Sequence, residues 1–138
     1  MKVREIMHVG TVCVDDDTSV REVARIMRTN DIGAVPVSAG GELVGMVTDR
    51  DIACRAVGDG ADLDTLTARA IMTKDPVYCA PYDDVEDAIE LMEANKVRRL
   101  PVIEDDALVG ILSLGDISQR VRRDLSGEVL QSVSAHHA

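Results

Sequence analysis

The sequence repeats itself at one constant offset of 65 residues, and no gap is needed to align the two copies. The offset carries Pro36-Val37 onto Pro101-Val102, and Ile6-Met7 onto Ile71-Met72. A chain made of two equal copies of one unit is expected to fold as two packed copies, related by a pseudo-two-fold axis. Any site that one copy helps to build should therefore return, in a varied form, in the other.

Chain length and apolar content indicate that the two copies depend on each other. The chain has 138 residues, so each copy alone is close to the ~60 residues at which burial on folding becomes marginal. We therefore expect the copies to share a core. Apolar residues make up 46% of the chain, but Trp and Phe are absent, so this core must be aliphatic.

The net charge disfavours two classes of partner. At a formal net charge of −10, we expect no binding to nucleic acid, which requires a basic surface, and no docking on an anionic membrane. The longest apolar run is far shorter than the ~20 residues that span a bilayer, and the N-terminus lacks a signal-peptide pattern. Because an acidic protein repels anions at long range, a phosphate site would need nearby Arg or Lys.

Cysteine usage predicts a reducing compartment. Cys13, Cys54 and Cys79 are odd in number and lack Cys-x-x-Cys spacing, which disfavours a disulfide framework and a zinc site. We expect a cytoplasmic protein without a bound metal; a redox pair of Cys13 and Cys79 is the alternative. His8 has no partner at zinc spacing, and the acidic run at 15–17 fits a helix-capping turn better than a calcium loop.

Hydrophobic spacing and turn residues predict the element order β-α-β-β-α in both copies. The first copy has predicted elements at 11–14, 20–30, 34–37, 43–47 and 49–57. In the second copy they fall at 77–79, 84–95, 100–103, 107–112 and 115–123. Pro36 lies inside the second predicted strand and indicates an edge or unpaired position.

These elements divide the chain into a first repeat with its linker (1–66), a second repeat (67–124) and a C-terminal tail (125–138). The linker, at 58–66, is predicted to be polar. The tail carries a weak helical stripe that either caps the domain or contacts a partner, formed by Leu125, Val129, Leu130 and Val133. His136 and His137 lie at an end that is expected to fray.

The strongest candidate site lies where the third predicted strand of each copy meets its second helix. Each copy has a glycine, a hydroxyl and a carboxylate spaced by three residues: Gly45, Thr48 and Asp51, then Gly110, Ser113 and Asp116. The glycine allows close backbone approach, the helix N-terminus favours anionic or polar oxygens, and the carboxylate can accept from both hydroxyls of a ribose. A capping box would explain one copy alone; two copies in register favour a ligand site.

These motifs resemble those of the CBS (cystathionine β-synthase) domain family. The likeness covers about residues 3–123 as a tandem pair, with an Ile-Met lead-in, a helix, a Pro-Val strand and the Gly-apolar-apolar-(Thr/Ser)-x-x-Asp pattern. It implies a mixed α/β fold (α+β) of two β-α-β-β-α repeats, packed about a pseudo-two-fold axis with two clefts between them. The organisation is similar to that of small stand-alone CBS-pair proteins of bacteria and archaea, including the hypoxic-response type.

The resemblance also implies a class of ligand and of partner. CBS pairs commonly bind adenosine-containing ligands, so the expected ligand is AMP, ADP, ATP, NAD or S-adenosylmethionine. No cofactor is expected to be obligatory. The family further implies a homodimer and a regulated protein that the sequence does not identify.

By the same resemblance, each cleft takes residues from both repeats. In the first cleft, Ser113 and Asp116 would contact ribose and phosphate oxygens, and Arg98 and Arg99 would contact phosphate. Ile111 would line this cleft, and the other repeat would surround the base with Val12, Cys13, Val14, Thr18, Ile32 and Gly33. The second cleft would use Thr48, Asp51 and Met46, with Val77, Tyr78, Cys79 and Val97 around the base.

The two clefts differ in charge. At the offset of 65, Arg98-Arg99 corresponds to Gly33-Ala34, and Thr18 corresponds to Asp83. The second cleft thus loses two cations and gains a carboxylate, whereas a charge-assisted contact to phosphate contributes ~1.5–3 kcal/mol. We predict that the Ser113/Asp116 cleft is the better nucleotide site, and that the other cleft is empty or takes a less charged ligand.

Two functions are consistent with these features. The first is a regulatory module that binds an adenosine ligand between its repeats, and the alternative is a ligand-free structural or stress-response protein that only dimerises. The sequence lacks Gly-x-Ser-x-Gly, P-loop and His-Glu-x-x-His patterns, so we do not expect an enzyme.

Overall fold

The secondary structure follows the predicted order in both halves. We describe the chain from a computed structural model, which covers residues 1–10 and 12–137, with side chains as far as Gly127. After a 3-10 turn at Val3–Glu5, the first half contains β1 (His8–Val9), β2 (Val14–Asp15), α1 (Val20–Asn30), β3 (Ala34–Ala39), β4 (Glu42–Thr48) and α2 (Asp49–Asp51), which continues as a π-helical stretch, Ile52–Val57. The second half contains α3 (Ala68–Ile71), β5 (Thr73–Lys74), α4 (Val85–Asn95), β6 (Arg99–Glu104), β7 (Ala107–Ser113) and α5 (Leu114–His137).

The two halves exchange one short strand each. One sheet has the order β2-β3-β4-β5 and the other β1-β7-β6. β1 therefore pairs with the second half, where His8 lies opposite Ile111, and β5 pairs with the first half, where Thr73 lies opposite Met46. These two pairs are related by the offset of 65 residues. The mixed α/β fold of two related repeats is thus confirmed.

The exchange also completes the hydrophobic cores. The first core contains Val35 of the first half together with Ile71 and Met72 of the second. The second core contains Leu100 of the second half together with Val3 of the first. Instead of one shared core there are two, and each needs residues from the other half. The division of the chain at residues 66 and 124 stays a prediction.

Helix α1 shows how the sequence sets these elements. Val20 and Met27 lie on its buried face at helical spacing. Ser19, and not the acidic run before it, caps the N-terminus, because its side chain accepts a hydrogen bond from the amide of Glu22 at 3.2 Å. Asp31 ends the helix in the left-handed conformation, with φ of 52°.

Of the two positions predicted for Pro36, the edge strand is not observed, whereas the unpaired position is, on the side of β3 that faces β2. Pro36 is buried in β3, which is an inner strand of its sheet. The missing amide proton is tolerated there because the neighbouring β2 is short and pairs with β3 only at Val37 and Ser38. An inner strand can therefore hold proline where its neighbour does not extend alongside it.

Residues 58–66 are not simply a polar linker. Leu63 and Leu66 pack against the first core. Their carbonyl groups accept hydrogen bonds from the amides of Arg21 (3.0 Å) and Val20 (2.8 Å), at the start of α1. The segment thus supplies partners that the first turn of a helix cannot find within itself.

Other predicted boundaries shift. The strand predicted at 11–14 corresponds to β2, and Thr11 lies outside the described residues. In place of the strand predicted at 77–79, the structure has a single bridge between Cys79 and Val102. The last helix continues past residue 123 through the predicted tail. The side chains of the tail stripe beyond Leu125 (Val129, Leu130 and Val133) and of His136 and His137 are outside those described. Among the described helices, none has the length and hydrophobicity needed to cross a membrane.

Candidate functional site

Both copies of the Gly-x-x-(Thr/Ser)-x-x-Asp pattern form a capping box at a strand–helix junction. The amide of Asp116 donates to Ser113 Oγ at 3.0 Å, and the amide of Ser113 donates to Asp116 Oδ2 at 3.3 Å. Thr48 and Asp51 make the equivalent bonds at 3.1 and 2.9 Å. Helix capping is therefore a role of both carboxylates, and a binding role depends on what else each one faces.

The Ser113/Asp116 junction opens onto a cavity between the halves. The cavity has a volume of about 400 Å³, within the range of small-molecule sites. Its polar and charged lining residues are His8, Asn30, Asp31, Arg99, Ser113 and Asp116. The remainder of the lining is Val9, Gly10, Val12, Ile32, Gly33, Ala34 and Ile111. An apolar wall with a few convergent polar groups is typical of a ligand site.

Asp116 faces this cavity with one oxygen while the other caps its helix. Its Oδ1 lies 2.9 Å from Nε2 of His8, which β1 carries over from the first half. The Asp116 side chain is 15% exposed, and the His8 side chain is 77% exposed. The equivalent Asp51 instead has Nε of Arg55, on its own helix, 3.9 Å from its Oδ1. The two carboxylates thus have different partners: Asp116 contacts a residue of the other half, whereas Asp51 lies near a residue of its own helix.

The sheet register positions Arg99 at the cavity. Arg99 is the first residue of β6 and lies directly opposite Ser113 on β7. The equivalent pair in the first half is Ala34 opposite Thr48. A cation and a hydroxyl therefore stand side by side in the first cleft, while the equivalent pair of the first half has a methyl group in place of the cation.

A second hollow, of about 510 Å³, is also bordered by Arg99. Arg99 shares this wall with Asp31, Ile32 and Gly33, and the rest of the lining comes from Ala24, Met27, Arg28, Asp49 and Ile52. This hollow is on the face formed by α1 and α2, so it is distinct from the second cleft predicted around Thr48 and Asp51. Arg99 thus borders both openings.

The structure brings together seven of the eleven residues predicted for the first cleft. Those that line the cavity are Val12, Ile32, Gly33, Arg99, Ile111, Ser113 and Asp116. Val14 is buried in the first core instead, Cys13 is exposed, and the carbonyl of Thr18 accepts from the amide of Ala68 at 2.8 Å. None of these three, nor Arg98, is among the lining residues.

Arg98 and Arg99 separate because neighbouring residues of an extended chain point to opposite sides. Arg99 is the first residue of β6 and lines the cavity, whereas Arg98 precedes the strand and is not among the lining residues. Both arginines are predicted to serve the first cleft, but of the two, Arg99 alone is among the lining residues of the cavity.

Residues predicted for the second cleft belong mostly to the hydrophobic interior. Met46 and Cys79 are buried, and Val77 and Val97 pack against the second core. Tyr78 is exposed. Burial raises the pKa of the Cys79 thiol to about 11, with the charge of Asp83 adding to the effect. The structure brings Thr48 and Asp51 together, but through the capping box alone.

Sequence reasoning missed six lining residues, and three of them share one origin. His8, Val9 and Gly10 come from the exchanged strand and its turn, while Asn30, Asp31 and Ala34 flank residues that were predicted. For the exchanged strand, the available sequence signal is the repeat itself. Residues 7–9 have their equivalents at Met72–Lys74, and a repeated segment that lies outside every predicted element is expected to pair elsewhere in the fold. Within the described residues, no group of three or more His, Cys, Asp or Glu is placed to hold a metal ion.

Comparison with known proteins gives a consistent result. Residues 3–57 and 68–123 each match the CBS domain family. The chain is 35% identical to the CBS domain-containing protein YhcV of Bacillus subtilis, with 96% of this chain and 94% of that protein aligned. It is also 35% identical to Hypoxic response protein 1 of Mycobacterium tuberculosis, over 86% of this chain and 83% of that protein.

Solved structures of similar proteins share the fold. The crystal structure of Hypoxic Response Protein I, which holds two coordinated zinc ions, matches with a TM-score of 0.78 over 86% of this chain and 98% of that one. A CBS domain pair in complex with 5′-methylthioadenosine and S-adenosyl-L-methionine matches with a TM-score of 0.82 at 25% identity, over 90% of this chain and 98% of that one.

Proposed function

This chain belongs to the CBS domain family as a tandem pair, and from that premise we propose that it is a regulatory module that binds an adenosine-containing ligand between its repeats. The site is the cleft at Ser113 and Asp116. One observation supports this choice above all: a cavity between the halves is lined at once by Ser113, Asp116 and Arg99.

Each part of an adenosine nucleotide has a partner in this cavity. Asp116 Oδ1 accepts from the ribose hydroxyls, and Arg99, opposite Ser113, meets the phosphate with a charge-assisted hydrogen bond. Val12 and Ile32 offer apolar contact to the base from the other half. Because sugar and base touch different halves, the ligand binds only one arrangement of the two repeats well.

The ligand class is supported by the relative that was solved with 5′-methylthioadenosine and S-adenosyl-L-methionine. Candidate ligands are AMP, ADP, ATP, NAD and S-adenosylmethionine. The cation at Arg99 favours those with a phosphate. In this proposal the protein is not an enzyme: it transmits ligand occupancy to a regulated protein through its differential affinity for two arrangements.

A thermal-shift screen tests the proposal. The purified chain is heated with each of the five candidate ligands, and with adenosine and inorganic phosphate as partial ligands. A ligand at 100 times its Kd adds about 2.7 kcal/mol to the free energy of unfolding, so its transition shifts upward. An unchanged unfolding transition with every ligand would contradict the proposal and favour the ligand-free structural protein.

We also propose that the chain forms a homodimer through an apolar stripe on α5. Leu114, Val121 and Leu125 are 43%, 49% and 56% exposed and lie on one face of the helix. An exposed apolar face is typical of an interaction surface. Light scattering after gel filtration should give the dimer mass for the native chain and the monomer mass for Val121→Glu. The control Gln119→Glu adds the same charge on another face and should remain dimeric.

A cytoplasmic location completes the proposal. Cys13 and Cys54 are exposed free thiols, and such thiols persist where the compartment is reducing. Fractionation of cells that produce the chain tests this, with recovery outside the cytoplasm as the contrary result.

A further inference from the structure

The exchanged strand β1 places one imidazole on the carboxylate that the proposed ligand would need. His8 Nε2 lies 2.9 Å from Asp116 Oδ1, although the two residues are 108 positions apart in the chain. The equivalent position in the other repeat holds Thr73. The contact is therefore a property of the first cleft alone.

The segment that carries His8 is firmly anchored on the second half. Val3 is fully buried in the second core, and its amide donates to the carbonyl of Asp83 at 2.9 Å. Lys2 Nζ lies 2.8 Å from Asp84 Oδ1, and this hydrogen bond raises the pKa of Lys2 and lowers that of Asp84. The backbone at His8 is thus held in place, while its side chain remains 77% exposed and can rotate.

Both oxygens of Asp116 are engaged when His8 is in this position. Oδ2 accepts from the amide of Ser113 in the capping box, and Oδ1 faces His8. A ribose that approaches Asp116 therefore meets the imidazole at Oδ1 and competes with it for the lone pairs of that oxygen. The other charged residues that line the cavity around His8 are Asp31 and Arg99.

We propose that His8 competes with the ribose for Asp116 and thereby sets the affinity of the first cleft. This inference rests on the proposed function, because it specifies how the same site is regulated. Binding exchanges one hydrogen bond to Asp116 for another, so the net gain from the ribose is reduced.

Isothermal titration of His8→Ala with adenosine tests the competition. Adenosine is the probe because it has the ribose hydroxyls and no phosphate that titrates or attracts Arg99. We expect about three- to tenfold tighter binding than in the native chain at pH 7, the range that corresponds to the loss of one competing hydrogen bond. Thr73→Ala, at the equivalent position on β5, is the matched control and should bind as the native chain does.

A further titration isolates the ribose. With 2′,3′-dideoxyadenosine, which lacks both hydroxyls, His8→Ala should bind as the native chain does. Equal or weaker binding of adenosine by His8→Ala would overturn the competition and leave the proposed function intact. Absence of binding by the native chain to every adenosine ligand would overturn both.

Discussion

Gly33 and Arg99 approach each other so closely that no side chain fits between them. A Cβ atom on Gly33 would lie 2.8 Å from Nη2 of Arg99 and 3.1 Å from Oδ2 of Asp49. Arg99 is at the start of β6, and Gly33 immediately precedes β3 of the other half. The absence of a side chain at position 33 thus allows a guanidinium from the second half to lie against the first.

Gly33→Ala should weaken nucleotide binding without unfolding the protein. The added methyl group overlaps the guanidinium, so Arg99 must leave its position, while the backbone of Gly33 is not in the left-handed region and accepts alanine. We expect the affinity for AMP, measured by isothermal titration, to fall about tenfold, the loss of one charge-assisted hydrogen bond.

Gly127→Ala is the control for that substitution. It makes the same chemical change on α5, where a Cβ meets nothing within 4 Å, and it should leave AMP binding unchanged. AMP binding by Gly33→Ala at the native affinity would show that the position of Arg99 does not matter to the ligand.

Arg99 and Arg98 should differ in their effect on phosphate recognition. Arg99 lines the first cleft, and Arg98 does not. We expect Arg99→Ala to weaken AMP binding by about ten- to a hundredfold and to leave the affinity for adenosine almost unchanged, because adenosine has no phosphate. Arg98→Ala serves as the control of equal charge and should alter AMP binding little. A larger loss from Arg98→Ala would mean that the phosphate lies on the other side of the strand.

Much of the fold and one wall of the site could be predicted because they depend on local spacing. Ser113, Ile111 and Asp116 line the cavity since each belongs to one strand–helix junction. The buried face of α1 follows from its apolar spacing in the same way. Patterns within a dozen residues suffice for such elements.

His8 could not be predicted in this way, because its position depends on strand exchange between the halves. A two-residue strand has almost no sequence signal, yet it brings the imidazole to Asp116. That Arg98 and Arg99 point to different sides could have been predicted from the sequence, since side chains alternate along an extended chain. The prediction counted both charges and neglected that alternation.

Cys79 should be the slowest of the three thiols to react. Burial raises its pKa to about 11, so at pH 8 only about one molecule in a thousand carries the reactive thiolate at this position. Cys13 and Cys54 are exposed. Labelling of the folded protein with a disulfide reagent at pH 8 should therefore show two fast thiols and a third that reacts on unfolding. Three fast thiols in the native chain, or a slow thiol that remains in Cys79→Ser, would contradict this assignment.

Asp116 and Asp51 provide the sharpest test of the ranking of the two clefts, because they make the same capping box in two different surroundings. Alanine at either position removes one capping box and should lower the free energy of unfolding by about 0.5–2 kcal/mol, similarly for both. Their effects on AMP binding should differ. Asp116→Ala removes the carboxylate that lines the cavity and should weaken binding by about tenfold or more, whereas Asp51→Ala should remain within about twofold of the native affinity. Chemical denaturation and isothermal titration on the same two variants separate stability from binding. If Asp51→Ala removes most of the AMP binding and Asp116→Ala keeps it, the nucleotide belongs in the second cleft.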